Sequence, residues 1–230
     1  PVFLLPMVEK LGTRLRALRL RTVAILADNS VSWMIADLAA LSANIPCVPV
    51  PNFFSAGQVT HVMATAGVDL VITDQPDWLA SALQLDISET TPLLQGLHAL
   101  RLPWPATVRL PQGTCKITFT SGTTGDPKGV CLGQQELEDV AESLRSMTCA
   151  SLDDRHHSLL PLATLLENVG GVYTALLSGA TACLPELAAV GLHGSSRLDC
   201  VRLVSALDEW QASSAILVPQ MLQAMVSESR

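Results

Sequence analysis

Charged side chains are scarce in this 230-residue sequence: Asp, Glu, Lys and Arg make up 15%, whereas hydrophobic residues make up 49%. Such a composition can bury a core, which excludes extended disorder. The net charge is −7, and the one basic cluster has the pattern of the wet face of an amphipathic helix. The cluster consists of Arg14, Arg16, Arg19 and Arg21. No nucleic-acid partner is expected, because nucleic-acid binding needs a larger basic surface.

Metal-binding, secretory and membrane patterns are also missing. The six cysteines include no C-x-x-C pair, so the sequence predicts neither a zinc site nor a dithiol redox motif. Scattered single thiols are typical of a reducing compartment and predict a cytoplasmic location. The first residues lack the basic start of a signal peptide. The longest apolar run, 169–185, is interrupted by glycines, threonines, a serine and a proline, so no integral membrane span is predicted.

Short apolar runs alternate with amphipathic segments along the chain. The runs predict strands at 22–27, 46–50, 69–74, 115–120, 129–132, 157–161, 180–184 and 214–218, and most intervening segments read as helices. The prolines of P-C-V-P-V (46–50) favour an edge or irregular strand, and residues 85–112 read as an irregular connection. The alternation predicts an α/β fold of layered, largely parallel sheets with flanking helices.

One loop stands out at the end of a predicted strand. Residues 116–130 read K-I-T-F-T-S-G-T-T-G-D-P-K-G-V. Glycines let a backbone approach a ligand closely, successive N–H groups can form an anion-binding concavity, and a lysine supplies a mobile positive charge. The carboxyl end of a parallel strand is where α/β proteins place ligands. The loop therefore predicts a polyphosphate-binding site. It is neither the Walker pattern, in which lysine precedes Ser or Thr, nor G-x-G-x-x-G.

The order T-S-G-T-T-G-D-P-K-G-V (120–130) closely resembles the AMP-forming adenylate-forming enzymes, which include acyl-CoA synthetases, peptide-synthetase adenylation domains and luciferases. The resemblance extends to V-A-I-L-A-D-N-S (23–30), to 160–181 and to S-A-I-L-V-P-Q-M-L (214–222), and so covers most of residues 11–230. The 160–181 stretch is most similar to fatty acyl-CoA synthetases.

The resemblance implies a reaction and a set of site residues. A carboxylic acid attacks the α-phosphate of Mg·ATP, giving an acyl-adenylate and pyrophosphate, and a thiol of CoA or a carrier protein then takes the acyl group. ATP, Mg²⁺ and CoA are thus the expected cofactors and co-substrates. By family position the phosphates are held by Thr120, Ser121, Gly122, Thr123, Thr124, Gly125 and Lys128. Of these, Lys128 and Thr123 would support catalysis, Thr123 or Thr124 would lie near Mg²⁺, and no transition-metal site is expected.

Two positions bear on the acid. The family often has histidine at the fifth place of L-P-L-x-H, where this chain has Thr164, and Thr164 with Glu167 would lie near the acid pocket. For Glu167, a polar residue in the first turn of a helix is the simpler account. The family's later motifs, Y-G-x-T-E and a C-terminal lysine among them, are not in this sequence. The chain is therefore expected to be the front part of a longer enzyme and inactive alone.

The resemblance also implies a domain organisation and leaves alternatives open. Residues 1–230 would form part of an N-terminal AMP-binding domain. Residues 22–150 would be a first α/β subdomain with the phosphate loop, and 151–230 with helix 4–20 part of a second. The leading function is a ligase that activates a carboxylic acid and passes the acyl group to CoA. The expected substrate is a fatty acid. The alternatives are an adenylation domain that loads an amino or aryl acid onto a carrier protein, and a non-catalytic nucleotide-binding or interaction module.

Overall fold

The computed structural model describes residues 3–86, 90–103, 108–120, 127–194 and 197–228. The chain divides into two compact units. The first contains residues 1–27 and 31–134, and the second contains residues 28–30 and 135–230. Both are layered α/β structures, and the predicted fold class is confirmed.

The first unit is built on a mostly parallel sheet with antiparallel strands towards both edges. Its strands, within the described ranges, are β1 (Val23–Leu26), β2 (Cys47–Pro49), β3 (Leu70–Thr73), β4 (Thr91–Leu94), β5 (Leu97–Arg101), β6 (Thr114–Thr120) and β7 (Lys128–Gly133). They lie in the order β4-β5-β3-β1-β2-β6-β7. Strands β3, β1, β2 and β6 are parallel to one another, so their carboxyl ends lie at the same edge. The loop that follows Thr120 starts from this edge.

Strand β2 lies inside the sheet, so of the two expectations for this segment the edge strand is wrong and the irregular pairing is confirmed. It pairs with β1 over all three residues but with β6 only through Cys47 and Lys116. Proline has no N–H to donate, and Pro49 lies beyond the point where pairing to β6 has stopped. The prolines therefore shorten one side of the ladder instead of excluding the strand from the interior.

The hairpin of β4 and β5 was not predicted, because 85–112 reads as irregular. Its turn contains Gly96, whose φ of +74° lies in the left-handed region that glycine tolerates. Pro92 lies in β4, the edge strand, where a missing N–H costs least. Pairing of β5 with β3 supplies the tertiary context that overrides the weak local pattern.

In the described part of this unit, the sheet is flanked by the helices α1 (Leu4–Ala17), α2 (Val31–Ser42), α3 (Ala56–Ala66) and α4 (Pro76–Leu83). Helix α3 begins with a reciprocal cap, in which Ser55 Oγ accepts from the Gln58 N–H and the Ser55 N–H donates to Gln58 Oε1. Its buried residues Val59, Val62 and Met63 join the apolar core against the sheet. Helix α1 packs against α2.

A buried ion pair joins α2 to strand β6. Lys116 Nζ donates to both carboxylate oxygens of Asp37, at 2.7 and 2.9 Å, and the two side chains are 2% and 0% exposed. The thiol of Cys47 lies beside the pair, where burial and the Asp37 charge raise its pKa well above the ordinary value. Because a single buried charge costs several kcal/mol, each partner depends on the other.

The second unit contains a three-stranded parallel sheet in the order β12-β8-β9, within the described ranges. The strands are β8 (Arg155–His157), β9 (Thr181–Cys183) and β12 (Ser214–Ala215), and β10 (Leu192–His193) pairs separately with β11 (Arg197–Leu198). The helices are α5 (Gln134–Thr148), a π-helical segment (Leu166–Tyr173), α6 (Thr174–Leu177), a 3₁₀ turn (Leu187–Val190), α7 (Cys200–Glu209) and α8 (Pro219–Glu228). Strand β8 begins two residues before the predicted 157–161.

The compact units divide the chain differently from the predicted subdomains. Helix α1 belongs to the first unit, because its buried face packs on α2. Helix α5 is grouped with the second unit from residue 135 onward, since Leu137 and Ala141 are its buried residues and the Ala141 carbonyl accepts from the Thr174 hydroxyl. Among the described residues, each helix is too short or too polar to cross a bilayer.

Replacing Lys116 with methionine is expected to lower the free energy of unfolding by ~3–5 kcal/mol, because the buried Asp37 carboxylate loses the ammonium group that compensates its charge. Urea unfolding of the chain measures the change. The double variant Lys116→Met/Asp37→Leu removes both charges and should recover most of the loss. If the single and double variants were equally unstable, the ion pair would not be the source of the effect.

Candidate functional site

The predicted phosphate loop is bracketed by two described residues at the end of a hairpin. Thr120 ends β6, Lys128 begins β7, and the two are paired across the antiparallel ladder. The predicted residues Ser121, Gly122, Thr123, Thr124 and Gly125 lie outside the described residues. The hairpin itself brings Thr120 and Lys128 together, and their role towards a phosphate stays a prediction.

The side chains of Thr120 and Lys128 are both exposed at the carboxyl edge of the parallel strands. Among the described residues, Lys128 takes part in no ion pair. A lysine carries three N–H donors and a full charge, so this ammonium group can receive an anion without breaking an ion pair to any residue that the structure describes. Position and charge both suit a phosphate ligand.

Close packing supports the base of this hairpin. A Cβ added at Gly129 would lie 3.0 Å from Phe119 Cζ and 3.2 Å from Ile117 Cγ2, so glycine at 129 lets these β6 side chains lie across β7. On the adjoining helix, His61 Nε2 lies 3.0 Å from the carbonyl oxygen of Pro127. No local pattern indicates a role for His61, because it is separated from Pro127 by 66 positions.

Glu167 and Thr164, predicted to lie near the acid, are both in the second unit. The Glu167 carboxylate is 0% exposed, accepts from His156 Nε2 at 2.8 Å, and accepts from the Leu160 N–H at 3.2 Å. The Thr164 hydroxyl donates to the Pro161 carbonyl at 2.8 Å. Both polar groups thus satisfy internal hydrogen bonds, and their role towards an acid stays a prediction.

His156 connects the Glu167 carboxylate to a cavity of about 210 Å³. Nε2 of His156 lies 2.8 Å from Glu167 Oε1, and Nδ1 of the same ring faces the Ser214 hydroxyl at 3.3 Å. The cavity is lined by His156, Gly170, Gly171, Thr174, Ser214 and Ile216 among others. Its wall contains the π-helical segment, a form of helix that is frequent at functional sites.

Asn29 holds the segment that leads into Thr164. Its side-chain amide donates to the Leu160 carbonyl and accepts from the Leu162 N–H, both at 2.8 Å, and the residue is buried. The sequence predicts only a turn or cap here, since Asp28, Asn29 and Ser30 are typical turn residues. Its partners lie more than 130 positions away, so no local pattern could have found them.

His157 is buried against Trp210, with the two ring centroids 6.1 Å apart. Neither ring nitrogen has a hydrogen-bond partner among the described residues. Burial lowers the pKa of His157, the neighbouring His156 lowers it further, Glu167 acts in the opposite direction, and Arg155 lowers it slightly. The folded protein therefore favours the neutral ring.

Comparison with known proteins settles the family. The model of the AMP-binding enzymes matches residues 4–230. The chain belongs to the AMP-binding enzyme family. The resemblance to adenylate-forming enzymes read from residues 120–130 is thereby confirmed.

Relatives of this AMP-binding chain include a PKS-NRPS synthetase and a fatty-acid–CoA ligase. The chain is 28% identical over 168 residues to the hybrid PKS-NRPS synthetase pyvA of Aspergillus violaceofuscus (strain CBS 115571), which covers 71% of the chain and 4% of that protein. It is 27% identical over 186 residues to long-chain-fatty-acid–CoA ligase 6 of Rattus norvegicus, which covers 64% of the chain and 26% of the ligase. The chain thus spans about a quarter of the ligase and far less of the synthetase.

Solved structures share the fold. The inhibitor-bound N-terminal domain of FACL13 from Mycobacterium tuberculosis matches with a TM-score of 0.69 and 21% identity, over 97% of this chain and 57% of that one. ATP-bound MatB from Rhodopseudomonas palustris matches with a TM-score of 0.73 and 18% identity, over 97% and 44%. At these identities the matches establish the fold of the AMP-binding chain and nothing finer.

Two adjacent glycines give a matched pair of variants. An alanine Cβ at Gly171 would overlap His156 Nε2 and lie 2.6 Å from Glu167 Oε1, whereas at Gly170 the nearest atom is Leu144 Cδ1 at 3.4 Å. Gly171→Ala is expected to cost ~1–3 kcal/mol of unfolding free energy, because it separates a buried hydrogen-bonded pair. Gly170→Ala should be neutral or stabilising by up to about 1 kcal/mol. Urea unfolding compares the two, and equal effects would refute this account of the pair.

The pKa of His157 predicts a loss of stability in mild acid. The unfolded ring titrates near pH 6.5, and the folded pKa is lower, so unfolding takes up a proton as the pH falls. The contribution of the neutral His157 ring to the free energy of unfolding is fully present above about pH 6.5 and decreases below it. Urea midpoints measured from pH 8 to 5.5 should fall in the wild type and stay flatter in His157→Leu. The control variant His193→Leu, at an exposed histidine, should keep the wild-type slope.

Proposed function

We propose that this chain carries the phosphate-binding part of an AMP-forming ligase, which joins a carboxylic acid to AMP and passes the acyl group to the thiol of CoA. The observation that carries the proposal is the hairpin of β6 and β7. It places an exposed lysine beside the end of a parallel strand, in a chain that matches the AMP-binding family over residues 4–230.

Each part of the loop has a role in this reaction. Backbone N–H groups of 121–125, the Thr120 hydroxyl and the Lys128 ammonium would hold the β- and γ-phosphates. Thr123 or Thr124 would lie near Mg²⁺, which ATP brings to such sites. Because the acid itself is the nucleophile, the protein needs only to position the phosphates and neutralise charge, and no activated side chain is required.

The acid is proposed to be a fatty acid, a view supported by the similarity to a long-chain-fatty-acid–CoA ligase. Thr164 and Glu167 are proposed to lie near the pocket for this acid. Glu167 would contribute by holding His156 and the Leu160 N–H in place through its hydrogen bonds. A cytoplasmic location is part of the same proposal and is supported by the six cysteines, all of which are free thiols.

A carrier protein is the second candidate for the acyl acceptor. The similarity to a hybrid PKS-NRPS synthetase, at an identity close to that of the CoA ligase, favours an adenylation domain that loads an amino or aryl acid. The two candidates share the first step, the formation of an acyl-adenylate, and differ in the thiol that follows.

The shared step is measured by acid-dependent exchange of labelled pyrophosphate into ATP, with the complete product of the reading frame and a panel of fatty, aryl and amino acids. Lys128→Ala is expected to weaken ATP binding about ten- to hundredfold, the loss expected for a charged hydrogen bond. Lys10→Ala, which removes the exposed lysine of α1, is the matched control and should leave exchange unchanged.

The outcome separates the candidates. Exchange followed by release of acyl-CoA supports the CoA ligase, and exchange with transfer only to a carrier-protein thiol supports the adenylation domain. ATP binding without exchange for any acid would contradict both and indicate a non-catalytic nucleotide-binding module. If Lys128→Ala and Lys10→Ala bound ATP equally well, the assignment of the phosphate loop would be wrong.

A further inference from the structure

His61 contacts the hairpin at the residue that precedes Lys128. It lies on helix α3, is half-buried, and places Nε2 3.0 Å from the carbonyl oxygen of Pro127. Pro127 is buried and lies between the predicted phosphate-binding segment 120–125 and Lys128. The contact therefore bears on the peptide unit between Pro127 and Lys128.

The direction of this hydrogen bond follows from chemistry. A carbonyl oxygen can only accept, so Nε2 of His61 carries the hydrogen and donates it. The Thr65 hydroxyl lies 3.4 Å from the same nitrogen, a longer contact than the one to Pro127. The Pro127 carbonyl is thus the main acceptor, and Thr65 is a minor one.

The backbone of Pro127 can form hydrogen bonds only through its carbonyl oxygen, which is the atom that His61 contacts. Proline has no N–H, so its carbonyl is its only backbone hydrogen-bonding group. The imidazole of His61 occupies that carbonyl. Since the carbonyl belongs to the same planar peptide as the Lys128 N–H, the bond from His61 also fixes the plane from which Lys128 begins.

The helix that presents His61 is a firm support. Its start is held by the reciprocal cap of Ser55 and Gln58, and Val59, Val62 and Met63 on the same helix are each 0% exposed. A side chain positioned by packing and by a capped helix can hold a second element with little loss of entropy. Helix α3 therefore holds His61 in a fixed position beside Pro127, the residue just before β7.

We infer that His61 is a positioning residue for the phosphate loop: its Nε2–H holds the Pro127 carbonyl and thereby sets where Lys128 meets the polyphosphate of a nucleoside triphosphate. The inference rests on the proposed function, because it assigns a ligand to Lys128. His61 itself does not touch the nucleotide. Its contribution is the orientation of the peptide from which the lysine extends.

Three variants test the role in pyrophosphate exchange by the complete gene product. His61→Phe keeps the ring but removes the N–H, and it should raise the KM for ATP about three- to tenfold, the effect of one neutral hydrogen bond. The kcat at saturating ATP should change less than the KM. His61→Gln, whose side-chain amide can donate from a similar position, should restore most of the loss. Thr65→Val removes the minor acceptor and should behave as the wild type.

The controls distinguish the possible failures. Thermal unfolding of each variant is measured alongside, and an unchanged KM in folded His61→Phe would overturn the inference while leaving the proposed function intact. A loss in His61→Phe that His61→Gln fails to restore, with a lowered unfolding midpoint, would also overturn it, since the residue would then act only on stability. If wild-type protein binds no ATP, the proposed function fails first, and the inference fails with it.

Discussion

The buried ion pair between Lys116 and Asp37 fixes the strand from which the candidate site begins. A slip of one residue along β6 would turn the Lys116 ammonium to the opposite face of the sheet, away from the Asp37 carboxylate on α2. Because an unpaired buried charge is so costly, the pair specifies the register of β6 beside β2. Thr120 is four residues further along the same strand, so the place where the loop leaves the sheet follows from this register.

The second unit uses a polar network for a similar purpose. Glu167 holds His156 and the Leu160 N–H, and Asn29 holds the carbonyl of Leu160 and the N–H of Leu162. These buried side chains form hydrogen bonds with the backbone groups of Leu160 and Leu162, and a fully bonded buried network of this kind makes the local structure rigid. The network requires glycine at position 171, because a side chain there would overlap the His156–Glu167 pair. The segment around Thr164 is therefore held by residues that are remote in sequence.

Family membership and substrate choice are separated in this chain. Relatives named for a PKS-NRPS synthetase and for a fatty-acid ligase match it at 28% and 27% identity. What the chain shares with such proteins is the AMP-binding family. The resemblance to that family was visible without a structure, because the order of residues 120–130 is local. The shape of an acid pocket depends on side chains from several elements, and no short motif encodes it.

The sequence by itself determined most of the alternation of strands and helices, the α/β class and the end of β6 at Thr120, because each depends on nearby residues. Only the tertiary structure decided that β2 is interior despite its prolines, that 91–101 forms a hairpin on β3, and that α1 packs with the first unit. It also decided the partners of Asn29 and His61. Such contacts join residues between 66 and 133 positions apart, and a contact of that kind depends on the packing of whole elements and not on local propensity.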